Sequence, residues 1–281
     1  MTAATWVFGG GGVGGIAWQI GVLAGLHDEG VDIAPECSLL GTSAGAVVAA
    51  KVGSGRPVEE LYDEQRTGVH YEVAKGLSLR MLLTMTVQGI RSRTAPDFGR
   101  RIGRPAVAFG QEEAAVRRRV IEDRLPSHEW ADRDVRVVAV DADTGVHRVI
   151  AAGQEVPLVD AVMASCAIPL VWPVVPIDGH RYMDGGMRSP VNLDLAPGDG
   201  AVVALAPTTR WQRWARLDDQ RTALGPNRSA LVLTMAKDVR RAQGRNPLNI
   251  GTVPAVVEAG RAQGRRDAAT VAGTLRSSGR A

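Results

Sequence analysis

Gly41-Thr42-Ser43-Ala44-Gly45 lies between the apolar run Cys37 to Leu40 and the helix-favouring run Ala46 to Val52. That order reads as strand, sharp turn, helix. A serine at such a turn is pushed clear of the sheet by a strained backbone. The flanking glycines, Gly41 and Gly45, are needed because a β-carbon there would collide with the neighbouring strand or helix. Ser43 is therefore a candidate nucleophile. The turn also sets Ser43 at a helix N-terminus, where unpaired N–H groups and the helix dipole stabilise an alkoxide or an adjacent oxyanion. An ordinary capping serine would suit the same turn. In a chain with 33 glycines the pattern gains weight only from what accompanies it.

Two companions frame it. Gly9-Gly10-Gly11-Gly12-Val13-Gly14-Gly15 follows the apolar segment Thr5 to Phe8 and precedes a helix-like run from Ile16 to Leu26. Consecutive glycines let several backbone N–H groups converge on one point, which suits a phosphate or the oxyanion of a tetrahedral intermediate. The loop satisfies G-x-G-x-x-G twice, yet the next strand runs into the serine turn rather than ending near a ribose-holding acid. Further on, Asp184-Gly185-Gly186 follows Val174 to Ile177, the turn pair Asp178-Gly179 and the short run His180 to Met183. This reads as a hairpin that delivers an aspartate onto a glycine loop. An ionised aspartate within reach of Ser43 can take its proton.

A glycine-rich loop, a G-x-S-x-G serine and a later D-G-G aspartate, in this order, resemble the patatin-like phospholipase family. Ala164-Ser165-Cys166-Ala167-Ile168-Pro169, Pro173 and Asn192 resemble the family's block around its aspartate. The likeness covers about residues 6–52 and 157–205. It implies a three-layer α/β/α sandwich with a mostly parallel central sheet and a helical insertion. It further implies a serine lipid acyl hydrolase working through Ser43 and Asp184, with oxyanion donors among Gly10, Gly11, Gly12 and Ala44. Gly9, Gly14, Gly15, Gly41, Gly45, Gly185, Gly186 and Asn192 would serve as supporting motif residues. The family loop commonly carries an arginine where this chain has Gly14. That difference weakens the case for a phospholipid head group more than the case for ester hydrolysis.

An α/β-hydrolase triad needs a histidine after its acid. His27, His70, His128, His147 and His180 all precede Asp184, so that sequel is absent. No histidine pair has metal-ligand spacing, and neither metal nor organic cofactor is implied. Cys37 and Cys166 lie in apolar segments and read as buried thiols.

Length and a 45% apolar composition fit one soluble enzyme domain over residues 1–281. Its core motifs fall at 5–52 and 157–206, a helical insertion at about 56–133, and an Arg-rich, mainly helical part at 207–281. Strands are expected near Thr5–Phe8, Ser38–Leu40, Val135–Val140, Val146–Ala151, Val174–Ile177 and Ala201–Ala206, with Pro157 to Cys166 as a helix. The first 30 residues lack the basic region of a signal peptide, and a cytoplasmic location is the default expectation.

From Arg210 onward, 14 basic residues face five acids, so the excess of positive charge sits in the C-terminal part. That distribution, with Arg210, Trp211, Arg213 and Trp214 at helical spacing, suggests peripheral contact with an anionic membrane. No nucleic-acid partner is expected. Leu77 to Ile90 is apolar but too short to span a bilayer. It reads as a buried helix or as the wall of an acyl-chain pocket. Two other functional readings stay open: a catalytically weak or inactive lipid- or protein-binding module that keeps the fold, and, less favoured, a nucleotide-binding enzyme using Gly9 to Gly15.

Overall fold

The computed structural model describes residues 4–68, 79–209, 214–226 and 228–277. Leu77, His70, Arg210, Trp211 and Arg213, named above, lie outside the described residues. The chain opens with β1 (Thr5–Phe8), α1 (Gly12–Asp28), β2 (Ser38–Thr42) and α2 (Ala44–Gly53). Four helices of the expected insertion follow: α3 (Val58–Thr67), α4 (Leu79–Arg91), α5 (Ala95–Val107) and α6 (Ala114–Arg124). Then come β3 (Val135–Asp141), β4 (His147–Ala151), α7 (Leu158–Ser165), β5 (Val175–Ile177), β6 (His180–Asp184) and β7 (Val202–Ala206). The C-terminal part adds α8 (Leu217–Ala223), β8 (Ala230–Thr234), α9 (Lys237–Gln243) and α10 (Val253–Ser277), of which β8 was not expected from the sequence.

The eight strands among the described residues form one sheet, in the order β5-β6-β3-β2-β1-β7-β8, with β4 on the other edge of β3. The β3-β2-β1-β7-β8 run is parallel, and β4, β5 and β6 are antiparallel. The inner strands are apolar almost throughout because both faces are covered. Trp6 and Phe8 pack with α1, α2, α7 and α10, whereas Val7, Leu40 and Val138 pack beneath Val191, Leu193 and Ala196 on the opposite face. This is the expected α/β/α layering.

The register on β3 positions the site. Thr42 at the end of β2 pairs with Val138, and Asp184 at the end of β6 pairs with the next residue, Ala139. β4 spans residues 136–140 of β3 along the other edge, so β2 and β6 share one edge and meet end to end there. Ser43 and Asp184, 141 positions apart in sequence, are brought together by that pairing.

α10 closes the structure by packing against α1 without intervening side chains. A β-carbon added to Gly25 would lie 2.0 Å from Arg261 O, and one added to Gly264 would lie 2.2 Å from Val22 O. Trp18 Nε1 on α1 donates to Gln263 Oε1 at 2.9 Å. The same oxygen accepts Ala236 N, and Gln263 Nε2 donates to Thr234 O, so α10 also fixes the passage from β8 into α9.

Much of the C-terminal positive charge is spent internally. Arg261 and Arg265 pair with Asp28, Arg266 pairs with Asp238, and Arg228 donates to the carbonyls of Ala196, Pro197 and Gly200. Trp214 packs on Phe98 with ring centroids 5.3 Å apart. It is half-buried there, against the cluster that holds Phe98 and Ile102. Cys37 and Cys166 are buried thiols that form no disulfide, as expected.

The α1–α10 contact yields a contrast in sign. Gly25→Ala and Gly264→Ala should each cost about 2 to 3 kcal/mol, because rigid backbone must move to admit the methyl group. Gly273→Ala, on the open side of α10 with nothing within 4 Å, should gain up to about 1 kcal/mol from helix propensity. Urea unfolding of the three variants checks both signs.

Candidate active site

Ser43 sits between the last residue of β2 and the first of α2 with φ 54 and ψ −119, a left-handed conformation that a non-glycine residue holds only when its surroundings impose it. Those surroundings are identifiable. A β-carbon on Gly45 would fall 1.8 Å from Phe8 O, and one on Gly41 would fall 2.5 Å from Ala46 Cα, so both positions demand glycine for space. Ser43 N donates to Ser165 Oγ at 2.9 Å, and that hydroxyl donates to Val138 O at 2.7 Å. Cys166 Sγ donates to Ser43 O at 3.2 Å. Ser165 and Cys166, at the end of α7, thus hold both faces of the serine peptide. Their sequence block was noticed for its likeness; its clamping role was not legible.

Ser43 Oγ donates to Asp184 Oδ2 at 2.7 Å. The other carboxylate oxygen, Oδ1, accepts Gly186 N at 2.7 Å, and Asp184 N donates to Ala167 O. A β-carbon on Gly185 would lie 2.2 Å from Val138 O, so the D-G-G turn must be bare to lie on β3. Asn192 Nδ2 reaches Thr42 Oγ1 at 3.0 Å, Ser189 O at 2.8 Å and Gly185 O at 3.3 Å, tying the ends of β2 and β6 together.

Asp184 is 3% exposed, and burial pushes its carboxyl up to about 6. The Ser43 hydroxyl, the Gly186 N–H and the charge of Arg117 act in the opposite direction. Arg117, on α6, is 4% exposed with its guanidinium 4.3 Å above the Trp172 ring. A buried cation from the insertion therefore bears on the carboxylate, a contribution that nothing in the local sequence of α6 announced.

The glycine loop divides its donors. Gly9 N donates to Leu205 O, Gly10 N to Pro190 O, Gly14 N to Pro247 O and Gly15 N to Gly11 O. The expectation that Gly10 would be an oxyanion donor is thus corrected: its N–H is occupied, and it contributes a bare wall where a β-carbon would lie 3.4 Å from Ser43 Cβ. The N–H groups of Gly11 and Gly12, at the start of α1, and of Ala44, at the start of α2, belong to first turns that have no intrahelical acceptor. Gly14 faces the side chain of Gln243, whose Cγ and Cδ lie 3.2 Å from a notional β-carbon there.

Ser43, Asp184 and Gly10 to Gly12 line a cavity of about 370 Å³. Its apolar wall comes from Met81 and Leu82 of α4 together with Ile168, Met187, Met235 and Leu248. The pocket-wall expectation for the apolar insertion helix holds for Met81 and Leu82. The fully buried alternative does not, since Met81 and Met85 are buried while Leu83 and Ile90 are 57% and 69% exposed. The stretch from Met235 to Leu248, which carried no recognisable motif, closes another side of the cavity. Among the described residues no histidine lines it; His180 instead pairs with Asp141 at 2.8 Å. Among the described residues no group of three or more His, Cys, Asp or Glu could hold a metal ion, and no helix is long and apolar enough to cross a membrane.

Residues 6–197 match the family model described as Patatin-like phospholipase. No curated protein matches the chain. Among solved structures, VipD from Legionella pneumophila aligns with a TM-score of 0.46 and 10% identity over 96% of this chain and 67% of VipD. The type III effector protein ExoU aligns with a TM-score of 0.38 and 13% identity over 95% of this chain and 53% of ExoU, so the chain spans about half of that protein's length.

The buried carboxyl generates a stability prediction. Its folded pKa, about 6, lies above the ordinary value of 3.8, so the folded state holds this proton to higher pH than the unfolded chain. The associated stability is present below about pH 4 and lost as pH rises through about 6, a cost of about 3 kcal/mol. Asp184→Asn lacks this titration. Its stability relative to wild type, measured by urea unfolding, should rise by about that amount between about pH 4 and about pH 7.5. A difference independent of pH would contradict the assigned environment.

Proposed function

This chain belongs to the patatin-like phospholipase family, hydrolases of lipid ester bonds, and from that premise we propose that Ser43 and Asp184 form its catalytic dyad and that the reaction passes through an acyl-enzyme. The observation that carries this reading is the 2.7 Å hydrogen bond from Ser43 Oγ to Asp184 Oδ2 at the floor of a largely apolar cavity. The Asp184 carboxylate takes the serine proton as Oγ attacks the ester carbonyl carbon. The carbonyl π electrons move onto oxygen, and the N–H groups of Gly11, Gly12 and Ala44 receive that oxyanion. Collapse breaks the C–O bond to the alcohol, which leaves with the proton from Asp184. Water enters, gives its proton to Asp184 and attacks the acyl carbonyl. The second collapse frees the fatty acid and returns the proton to Ser43.

A carboxyl raised toward neutrality by burial is a stronger base than an exposed aspartate, while remaining ionised at neutral pH. The fixed N–H donors need no rearrangement as charge develops, and losing one such donor typically costs ~10² to 10³ in rate. The wall of Met81, Leu82, Met187 and Met235 suits an acyl chain, because thioether side chains adapt to its bends. The nucleotide reading loses support, since Gly9, Gly10, Gly14 and Gly15 spend their N–H groups on protein carbonyls.

A fluorophosphonate probe should form one adduct, on Ser43, and none on Ser43→Ala. In Asp184→Asn labelling should slow by about 10² or more. The wild-type labelling rate should climb with pH as Asp184 loses its proton, with a midpoint near 6. Peptide mapping and stopped-time intact mass read all three. An adduct that survives Ser43→Ala would contradict the assignment.

A further inference from the structure

α9 lies beyond residues 6–197, the stretch that matches the family model, and lines the cavity from the C-terminal part. It is held from two sides: Gln263 of α10 accepts Ala236 N just before it, and Pro247 O accepts Gly14 N just after it. Arg240 and Gln243, three residues apart and hence on one face of this helix, both line the cavity.

Among the described residues lining the cavity, Asp184 is the single acid and Arg240 the single base. Asp184 is satisfied at the floor by Ser43 and Gly186. Arg240 donates one N–H to Met235 O at 2.6 Å, which anchors the guanidinium. It makes no ion pair among the described residues; the one acid on its own helix, Asp238, pairs with Arg266 instead. The half-buried Gln243 amide makes no hydrogen bond among the described residues, and its side chain lies over Gly14. An anchored guanidinium with unspent donors, beside an unspent amide, at the edge of an otherwise apolar chamber is suited to an anion with several acceptor oxygens.

We propose that Arg240, assisted by Gln243, is a specificity-determining residue that binds a phosphate group carried by the substrate, next to the ester that Ser43 attacks. The proposal rests on the hydrolase reading and names the side chains that favour acyl esters bearing a phosphomonoester or phosphodiester over neutral acylglycerols. The acyl chain runs along the methionine wall, the ester carbonyl lies between Ser43 and the Gly11–Gly12 donors, and the phosphate faces α9. A neutral ester would leave the exposed guanidinium to water, so discrimination comes from the charge-assisted contact that only the phosphate can make.

The test compares a short-chain monoacylglycerol phosphate with the matching monoacylglycerol, both below their micelle-forming concentrations. In Arg240→Met the ratio of kcat/KM for the phosphorylated over the neutral substrate should fall at least about tenfold, chiefly through KM, and Arg240→Lys should restore part of it. Arg241→Met, an exposed neighbour that does not line the cavity, should leave the ratio within about twofold. A ratio in Arg240→Met within about twofold of wild type would overturn the proposal.

Binding of both lipids to Ser43→Ala, with and without Arg240→Met, separates the two layers of argument. Arg240-dependent preference for the phosphorylated lipid without turnover by wild type would sink the hydrolase reading and keep the subsite. Turnover of both lipids with an unchanged ratio would do the reverse. Inorganic phosphate distinguishes the source of the anion: inhibition that weakens about tenfold in Arg240→Met means the subsite takes free phosphate, and no inhibition means it needs the lipid-borne group.

Discussion

Two strands ending on adjacent residues of a third are the constraint from which the site follows. β2 ends opposite Val138 and β6 ends opposite Ala139, running in from opposite directions along the same edge of β3. A one-residue slip of either strand would turn its terminal side chains to the other face of the sheet and part Ser43 from Asp184. The close contacts around Gly41, Gly45 and Gly185 belong to the same arrangement. Each places backbone against backbone where a strand end turns into a helix or a tight turn, and each excludes a β-carbon.

This arrangement has a cost that the rest of the molecule must offset. Ser43 holds a left-handed backbone conformation, and Asp184 carries a carboxyl whose charged form is penalised by burial. Strain of this kind costs of order 1 to 3 kcal/mol and persists only where the surroundings over-determine it. Here Ser165 and Cys166 grip the serine peptide from α7, Asn192 ties the two strand ends, and Arg117 supplies a buried positive charge from α6. The α1–α10 contact supports the other wall, because Gln263 links α1, the end of β8 and the start of α9.

How much of this is legible in the sequence depends on whether the constraint is local. Glycine spacing around Ser43, the glycine loop and the D-G-G turn are local demands for bare backbone, so they stand out and lead to the α/β/α sandwich and to the residues that meet at Ser43. The distribution of donors in the glycine loop is not local. Gly10 loses its N–H to Pro190 and Gly14 to Pro247, both far away in sequence. The roles of Ser165, Arg117 and Met235 to Leu248 are hidden for the same reason, since each depends on what the chain lays beside it. The apolar insertion helix shows the limit from another direction. Its composition gives hydrophobic content, but which face is buried depends on α5 and the cavity, and Leu83 and Ile90 end up outside.

In the proposed mechanism an ester transfers its acyl group to Ser43 Oγ before water attacks. The measurement that meets it most directly is rapid mixing of the protein with a short-chain activated ester, acid quenching within the first turnover, and intact mass followed by peptide mapping. A mass increase of one acyl group, located on Ser43, should form and decay in step with the burst of released alcohol. A burst of alcohol without acylated protein, or an acyl group on any other residue, would contradict that mechanism.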